Sequence, residues 1–141
     1  MIYFIYCDGG ARGNPGPAGV GFIITNLQGK VLIRAAKFIG KATNNVAEYQ
    51  AVIEALKWLD KKEIKTNVKG RPVIKFFLDS MLVVNQLNGF FKIKNSYLRD
   101  LVIEIRQLEI STKGQISYHY IPREKNQKAD DLVNQIIDKK I

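Results

Sequence analysis

Two apolar runs in this chain stop on an aspartate: IYFIYC, at residues 2–7, is closed by Asp8, and VIKFFL, at residues 73–78, by Asp79. Short apolar runs of this kind, bounded by turn residues, read as buried strands. A helical pattern lies between them, and a strand reached through a helix joins its sheet parallel to its neighbour. Both aspartates then sit at the carboxyl ends of strands, the edge of such sheets where sites gather.

The rest of the pattern fits one sheet. AGVGFIITN and QGKVLIRAAKFIG, at 18–26 and 28–40, are two more β-rich segments around a turn at Asn26 to Gly29, so residues 2–40 read as an antiparallel meander. From Thr43 to Lys62, Val46, Tyr49, Val52, Ile53, Leu56 and Leu59 form one helical stripe, with Asn44 or Asn45 as its cap. A short helix from Ser80 to about Leu87 stops near Gly89, and Asn95 or Ser96 opens a longer one through Leu108. QISYHYIP is a last strand halted at Pro122, and residues 125–139 are a final helix. The order βββαβααβα predicts a single α/β domain over residues 1–141, a mixed sheet with helices on its faces.

Composition sets the outer bounds. A chain of 141 residues suffices for one core. It has no apolar run of the length that spans a membrane. The opening MIYFIYCDGG lacks a basic flank and reads as a strand rather than a signal peptide. Cys7 is alone, which excludes an internal disulfide and suits a reducing, cytoplasmic setting. Twenty-two Lys and Arg against thirteen Asp and Glu leave a net charge of +9. That excess points to a polyanionic partner, nucleic acid ahead of an anionic membrane, against the plain alternative of a lysine-rich solubility surface.

Two helical carboxylates join the pair at the strand ends. Glu48 lies roughly 80° from the apolar stripe of its helix, at the border of the buried face, whereas Glu54 falls opposite and reads as solvated. On the last helix Asp130 is about 90° from the inward face and Asp131 about 170°. Asp8, Glu48, Asp79 and Asp130 can therefore converge on one side of the sheet. Two charges about 4 Å apart repel by about 4 kcal/mol at an effective dielectric of about 20. Four such groups strain a domain whose stability is about 5–15 kcal/mol. Divalent cations relieve that strain, and hard oxygen donors without His or Cys suit Mg²⁺ or Mn²⁺ rather than Zn²⁺.

In order along the chain, YCDGGARGNPGPAGVGFII, TNNVAEYQAVIEAL, FFLDSMLVVNQLNG and IPREKNQKADDLVN resemble the motifs of the ribonuclease H type 1 family. The resemblance covers nearly the whole chain. It implies the ribonuclease H-like fold, a five-stranded mixed sheet with helices on both faces, and a metal-dependent endonuclease that cuts the RNA strand of RNA–DNA hybrids. It carries the family's metal-binding acids onto Asp8, Glu48, Asp79 and Asp130, serving two Mg²⁺ ions with substrate bound, Mn²⁺ being a workable substitute. Thr43 and Asn95 match positions that hold a DNA-strand phosphate in relatives. Asn14 and Asn44 match residues that touch the RNA strand, and Gly9, Gly10, Arg12, Gly13 and Lys41 complete the expected substrate contacts. Double-stranded RNA is a further candidate duplex, and no obligate protein partner is evident, so a monomer is expected.

The chain departs from the family in two places. Many relatives carry a histidine on the loop before the last helix, and YIPREKNQKAD has none, leaving Arg123 or Glu124 to take its place. His119, the only histidine, shares a strand face with Ile121 and is expected to be structural. The basic handle of some relatives is compressed here to FFKIKNSYLRD, with Lys92, Lys94 and Arg99 as backbone contacts.

Six of the eleven glycines fall within residues 4–24. Bare backbone beyond Asp8 allows a nucleic-acid strand to come close, with amides and carbonyls free to meet ribose 2′-hydroxyls. No Gly-Lys-Ser/Thr or G-x-G-x-x-G pattern is present, which disfavours a nucleotide cradle. Two other readings compete: a module of this fold that binds hybrids or double-stranded RNA without cutting, and a sister nuclease such as a junction resolvase or exonuclease. Four mutually repelling acids disfavour the first, and the glycine loop disfavours the second.

Overall fold

The computed structural model describes residues 1–62 and 70–141. Five strands, β1 (Ile2–Ala11), β2 (Gly16–Asn26), β3 (Val31–Ala42), β4 (Val73–Leu78) and β5 (Gln115–Tyr120), form one sheet in the order β3-β2-β1-β4-β5. The first three pair antiparallel, and β4 and β5 add in parallel beside β1. The helices are α1 (Asn44–Lys61), α2 (Met81–Leu87), α3 (Ser96–Thr112) and α4 (Gln127–Lys140), with a 3-10 turn at Arg123–Lys125. This is the expected five-stranded mixed sheet.

The two faces are covered differently. On one, Tyr3, Ile5 and Cys7 of β1 lie buried beneath α1, whose Tyr49, Val52, Ile53 and Leu56 are fully buried, and α3 packs against α1. Each large side chain so buried stabilises the fold by about 1.5–3 kcal/mol. On the other, α4 lies over β2, β3 and the upper part of β1. Because strand side chains alternate, Phe4, Tyr6 and Asp8 belong to the α4 face. Beyond that helix Tyr6, Phe77 and His119 stand side by side across β1, β4 and β5, with ring centroids 5.1 and 5.5 Å apart.

Three helices start on a side-chain cap. Thr43 Oγ1 accepts the Val46 N–H at 3.2 Å, Ser80 Oγ the Val83 N–H at 3.3 Å, and Asn95 Oδ1 the Leu98 N–H at 3.0 Å. The cap of α1 is thus Thr43 rather than Asn44 or Asn45: Asn44 is already helical, and its side chain is turned towards β1. Glu54 also departs from expectation. It is half-buried, because Lys37 on the neighbouring β3 reaches it at 3.4 Å, and Lys57 lies 3.8 Å away.

His119 does not face the core. The residue that does is Tyr118, which stacks on Phe76 with ring centroids 5.2 Å apart and donates to Glu109 at 2.6 Å. His119 points to the opposite, exposed face, where its Nε2 lies 2.8 Å from Ser117 Oγ.

The glycines of β1 and β2 serve packing before anything else. β1 runs on through Gly9 and Gly10 to Ala11, and a Cβ on Gly9 would lie 2.2 Å from the backbone carbonyl of Ala47 in α1. Across the sheet, a Cβ on Gly21 would lie 2.9 Å from both the Ala129 oxygen and Leu132 in α4. Gly10 faces only Val133 Cγ1 at 3.7 Å and Asn44 Oδ1 at 4.0 Å, ordinary contacts. Gly9→Ala is therefore expected to cost about 2–3 kcal/mol, read as a lower urea midpoint. Gly10→Ala should stay within about 0.5 kcal/mol of the parent.

Candidate active site

Asp8 does not close β1, which pairs with β2 as far as Ala11; it projects from within the strand on the α4 face, and Asp79 follows the last residue of β4. The two strands pair in parallel, Tyr6 opposite Phe77, which brings the two aspartates together. Glu48 comes from the second turn of α1, which the bare Gly9 allows to press against β1. One carboxylate oxygen from each of Asp8, Glu48 and Asp79 lies within 4.8 Å of the others. Asp8 and Glu48 are only 6% and 7% exposed and Asp79 is half-buried, so two of the three acids are withdrawn from water. Asp130, on the first turn of α4, lines the same cleft and its charge acts on Asp8, but it stands outside the close group of three. Asp131 is exposed, as its angle on the helix predicts.

The electrostatics follow from that crowding. Burial first, then the charges of Asp79 and Asp130, push the Asp8 carboxyl up to about 8. Glu48 is raised well above the carboxylate range by burial and by the charges of Asp8 and Asp79, against the Gly9 N–H that donates to it. Glu48 Oε2 is buried without a hydrogen-bond partner. A buried orphan acceptor within an all-oxygen set fits a hard divalent cation such as Mg²⁺ or Mn²⁺. The cleft over the acids measures about 360 Å³ and is lined also by Arg12, Asn44, Ser80, Arg123 and Asn134. A larger cleft of about 450 Å³, below the start of α4, holds Glu124 as its one carboxylate and no acidic cluster.

Residues 6–136 match a family model described as Reverse transcriptase-like. The structure of LC11-RNase H1, isolated from compost by a metagenomic approach, is similar with a TM-score of 0.89 and 42% identity, over 97% of this chain and 96% of that one. The chain belongs to the ribonuclease H type 1 family. LC11-RNase H1 in complex with RNA/DNA hybrid superposes with a TM-score of 0.90. Ribonuclease HI of Halobacterium salinarum is 37% identical over 133 residues, covering 94% of this chain and 63% of that protein. The bifunctional protein Rv2228c of Mycobacterium tuberculosis is 39% identical over 139 residues, 98% of this chain. The chain spans only 36% of that relative's length.

The other positions carried over from the type 1 ribonuclease H motifs fall into three groups, of which only one lines the acidic cleft. Gly9, Gly10, Arg12 and Asn44 line the acidic cleft itself. Arg12 is engaged by α4, its guanidinium 2.7 Å from Asp138 and 3.3 Å from Asn134 Oδ1. Asn14 and Asn44 brace the β1–β2 loop: Asn14 Oδ1 accepts from the Asn44 N–H at 2.9 Å, and Asn44 Oδ1 accepts from the Ala11 N–H at 2.9 Å. Gly13, with φ 82°, turns that loop in the left-handed region that favours glycine. Lys41 and Thr43 line a neighbouring hollow of about 250 Å³ with Pro15 and Tyr97, while Asn95 caps α3 two residues before Tyr97. Lys92, Lys94 and Arg99 are exposed.

Of the two substitutes for the family's loop histidine, Arg123 lines the acidic cleft and Glu124 lines the other one. Three polar residues of the site escaped the sequence reading. Gln127 Nε2 and Asn134 Nδ2 both reach Asp130 Oδ2, at 3.4 and 3.3 Å. Asn126, 2% exposed, donates to Asp79 Oδ2 at 3.2 Å and to the Cys7 carbonyl at 2.7 Å. A spacing of four residues on either side of Asp130 was the available signal for Asn126 and Asn134.

Asp8 is raised in the folded protein, so its contribution to stability is complete below the unfolded value near 3.8 and is lost as pH rises through about 8. In EDTA the Tm of the parent is expected to fall between about pH 4 and pH 8 relative to Asp8→Asn. At pH 8 the variant should melt about 3–8 °C higher, and calorimetry across the pH range reads the difference.

Proposed function

We propose that this chain is a divalent-metal-dependent endonuclease that hydrolyses the RNA strand of RNA–DNA hybrids, leaving 5′-phosphate and 3′-hydroxyl ends. The observation that carries this reading is the close triad of Asp8, Glu48 and Asp79, two of them buried, with its orphan Glu48 oxygen and Asp130 in the same cleft. A pure binding surface gains nothing from buried carboxylates that repel one another. The four acids would hold two Mg²⁺ ions, Asp8, Glu48 and Asp79 from the close group and Asp130 from the wall of the same cleft. When bound, such ions supply hydroxide from water near neutral pH and stabilise charge on the leaving 3′-oxygen.

The chain's own groups do the rest. The acids meet in a cleft open to a duplex, and the net charge of +9 draws a polyanion to it. The β1–β2 loop is held by Asn14, Asn44 and Arg12, so the backbone beyond Asp8 presents a set surface to the strand being cut. Hybrid recognition is supported by the LC11-RNase H1 complex with RNA/DNA hybrid, at 42% identity. Thr43 and Asn95, at two helix starts, are proposed to hold the DNA-strand phosphate, and Arg123 to serve at the mouth of the cleft.

End-labelled RNA–DNA hybrid, double-stranded RNA and double-stranded DNA, each incubated with Mg²⁺ or EDTA, test the reading. Cutting of the hybrid is expected only with Mg²⁺. Asp8→Asn should reduce it by about a thousandfold or more, since metal stabilisation of the transition state supplies several kcal/mol. Cleavage that persists in EDTA would reject the metal mechanism, and binding without cleavage would favour a non-catalytic module.

A further inference from the structure

Asn126 stands at the start of α4, where its neighbours in the fold set a clear comparison. Thr43, Ser80 and Asn95 occupy the same place at the other helices, and each spends its side-chain oxygen on a backbone N–H of its own helix. Asn126 makes no such bond. Its amide is turned away from α4, and its Oδ1 is buried without a partner. The residue has given up a cap and left an acceptor unsatisfied, two penalties that the helix alone does not explain.

The two hydrogens of Nδ2 show where the amide is committed. One meets the Cys7 carbonyl at 2.7 Å, the residue before Asp8, and the other meets Asp79 Oδ2 at 3.2 Å. The backbone carbonyl of Asn126 accepts the Asp130 N–H at 3.1 Å. One side chain and one peptide thus tie the Cys7–Asp8 segment of β1, the Asp79 carboxylate and the first turn of α4 together. We propose that Asn126 is the positioning residue of the acidic centre, fixing the Asp79 carboxylate relative to Asp8 and Asp130 for divalent-cation binding. This rests on the metal-dependent reading given above.

The residue type suits the task. A primary amide offers two donors and no charge. A lysine or arginine there would compete with a cation, and a carboxylate would add a further negative charge to a site whose acids already repel. A serine hydroxyl has a single donor and favours the capping bond that Asn126 forgoes.

Asn126→Ser therefore separates holding the helix from holding the carboxylate. Calorimetric titration with Mg²⁺, without nucleic acid, gives the cation affinity, and melting in EDTA gives the fold. The expected result is a metal-free Tm within a few degrees of the parent and a Mg²⁺ Kd raised about tenfold to a hundredfold. Hybrid cleavage should lose kcat with KM little changed, and Asn126→Ala should lose affinity to the same degree. A Mg²⁺ Kd within threefold of the parent in both variants would overturn the proposal. Loss of folding in the serine variant would also overturn it, since the amide would then serve the fold and not the carboxylate. A parent that binds no Mg²⁺ would reject the metal-dependent reading itself, a different outcome from a parent that binds it and variants that bind it equally.

Discussion

The parallel pairing of β1 with β4 is the constraint on which the rest of the site depends. With Tyr6 opposite Phe77, the next residues on the same face are Asp8 and Asp79, delivered side by side where the β1–β4 pairing stops. Side chains alternate with a period of two, so a slip of one residue would turn one aspartate towards α1 and leave the other facing α4. β5 continues the same register, Leu78 opposite Tyr120, and hands the chain to the turn that starts α4. Asp130 and Asn126 reach the acids only because that turn ends where it does.

Bringing the acids together opposes folding, and tight packing around them offsets the cost. Gly9 lets the backbone of α1 come within reach of β1, which is what carries Glu48 into the cluster. Gly21 does the same for α4 on the opposite face. The glycines that look like room for a ligand are in large part room for helices. Among the described residues flanking the acids, Arg12 is held by Asp138 and Asn134, and Asn14 and Asn44 hold the backbone of the β1–β2 loop. The surface offered to a nucleic-acid strand is thus built by the same bonds that brace the loop.

Much of this was legible before any coordinates. Among the described residues, apolar runs bounded by turn residues placed the five strands and apolar stripes of period 3.6 the helices, because both reflect what is buried. Asp8 and Asp79 were visible as the acids that close two apolar runs, although β1 continues past Asp8 to Ala11, and Glu48 and Asp130 as border positions on helices. The misreadings have one cause in common. Glu54 looked solvated on its own helix, yet Lys37 from β3 reaches it. Alternation puts His119 on the face of Ile121 but does not say which face of β5 is covered, and it is Tyr118 that faces the core. The cap of α1 fell to Thr43 because Asn44 was already committed to Ala11.

The sequence by itself determined the elements, their order and the four acids, because those follow from local spacing, the ends of apolar runs and charge. Only the tertiary structure decided that Gly9 serves α1, that Arg12 is held by α4, and that Asn126 turns its amide from its own helix to Asp79. Those outcomes depend on partners as many as 126 residues away along the chain. No local pattern encodes which distant atom a flexible polar side chain will meet, since that is settled only when the sheet register brings the elements together.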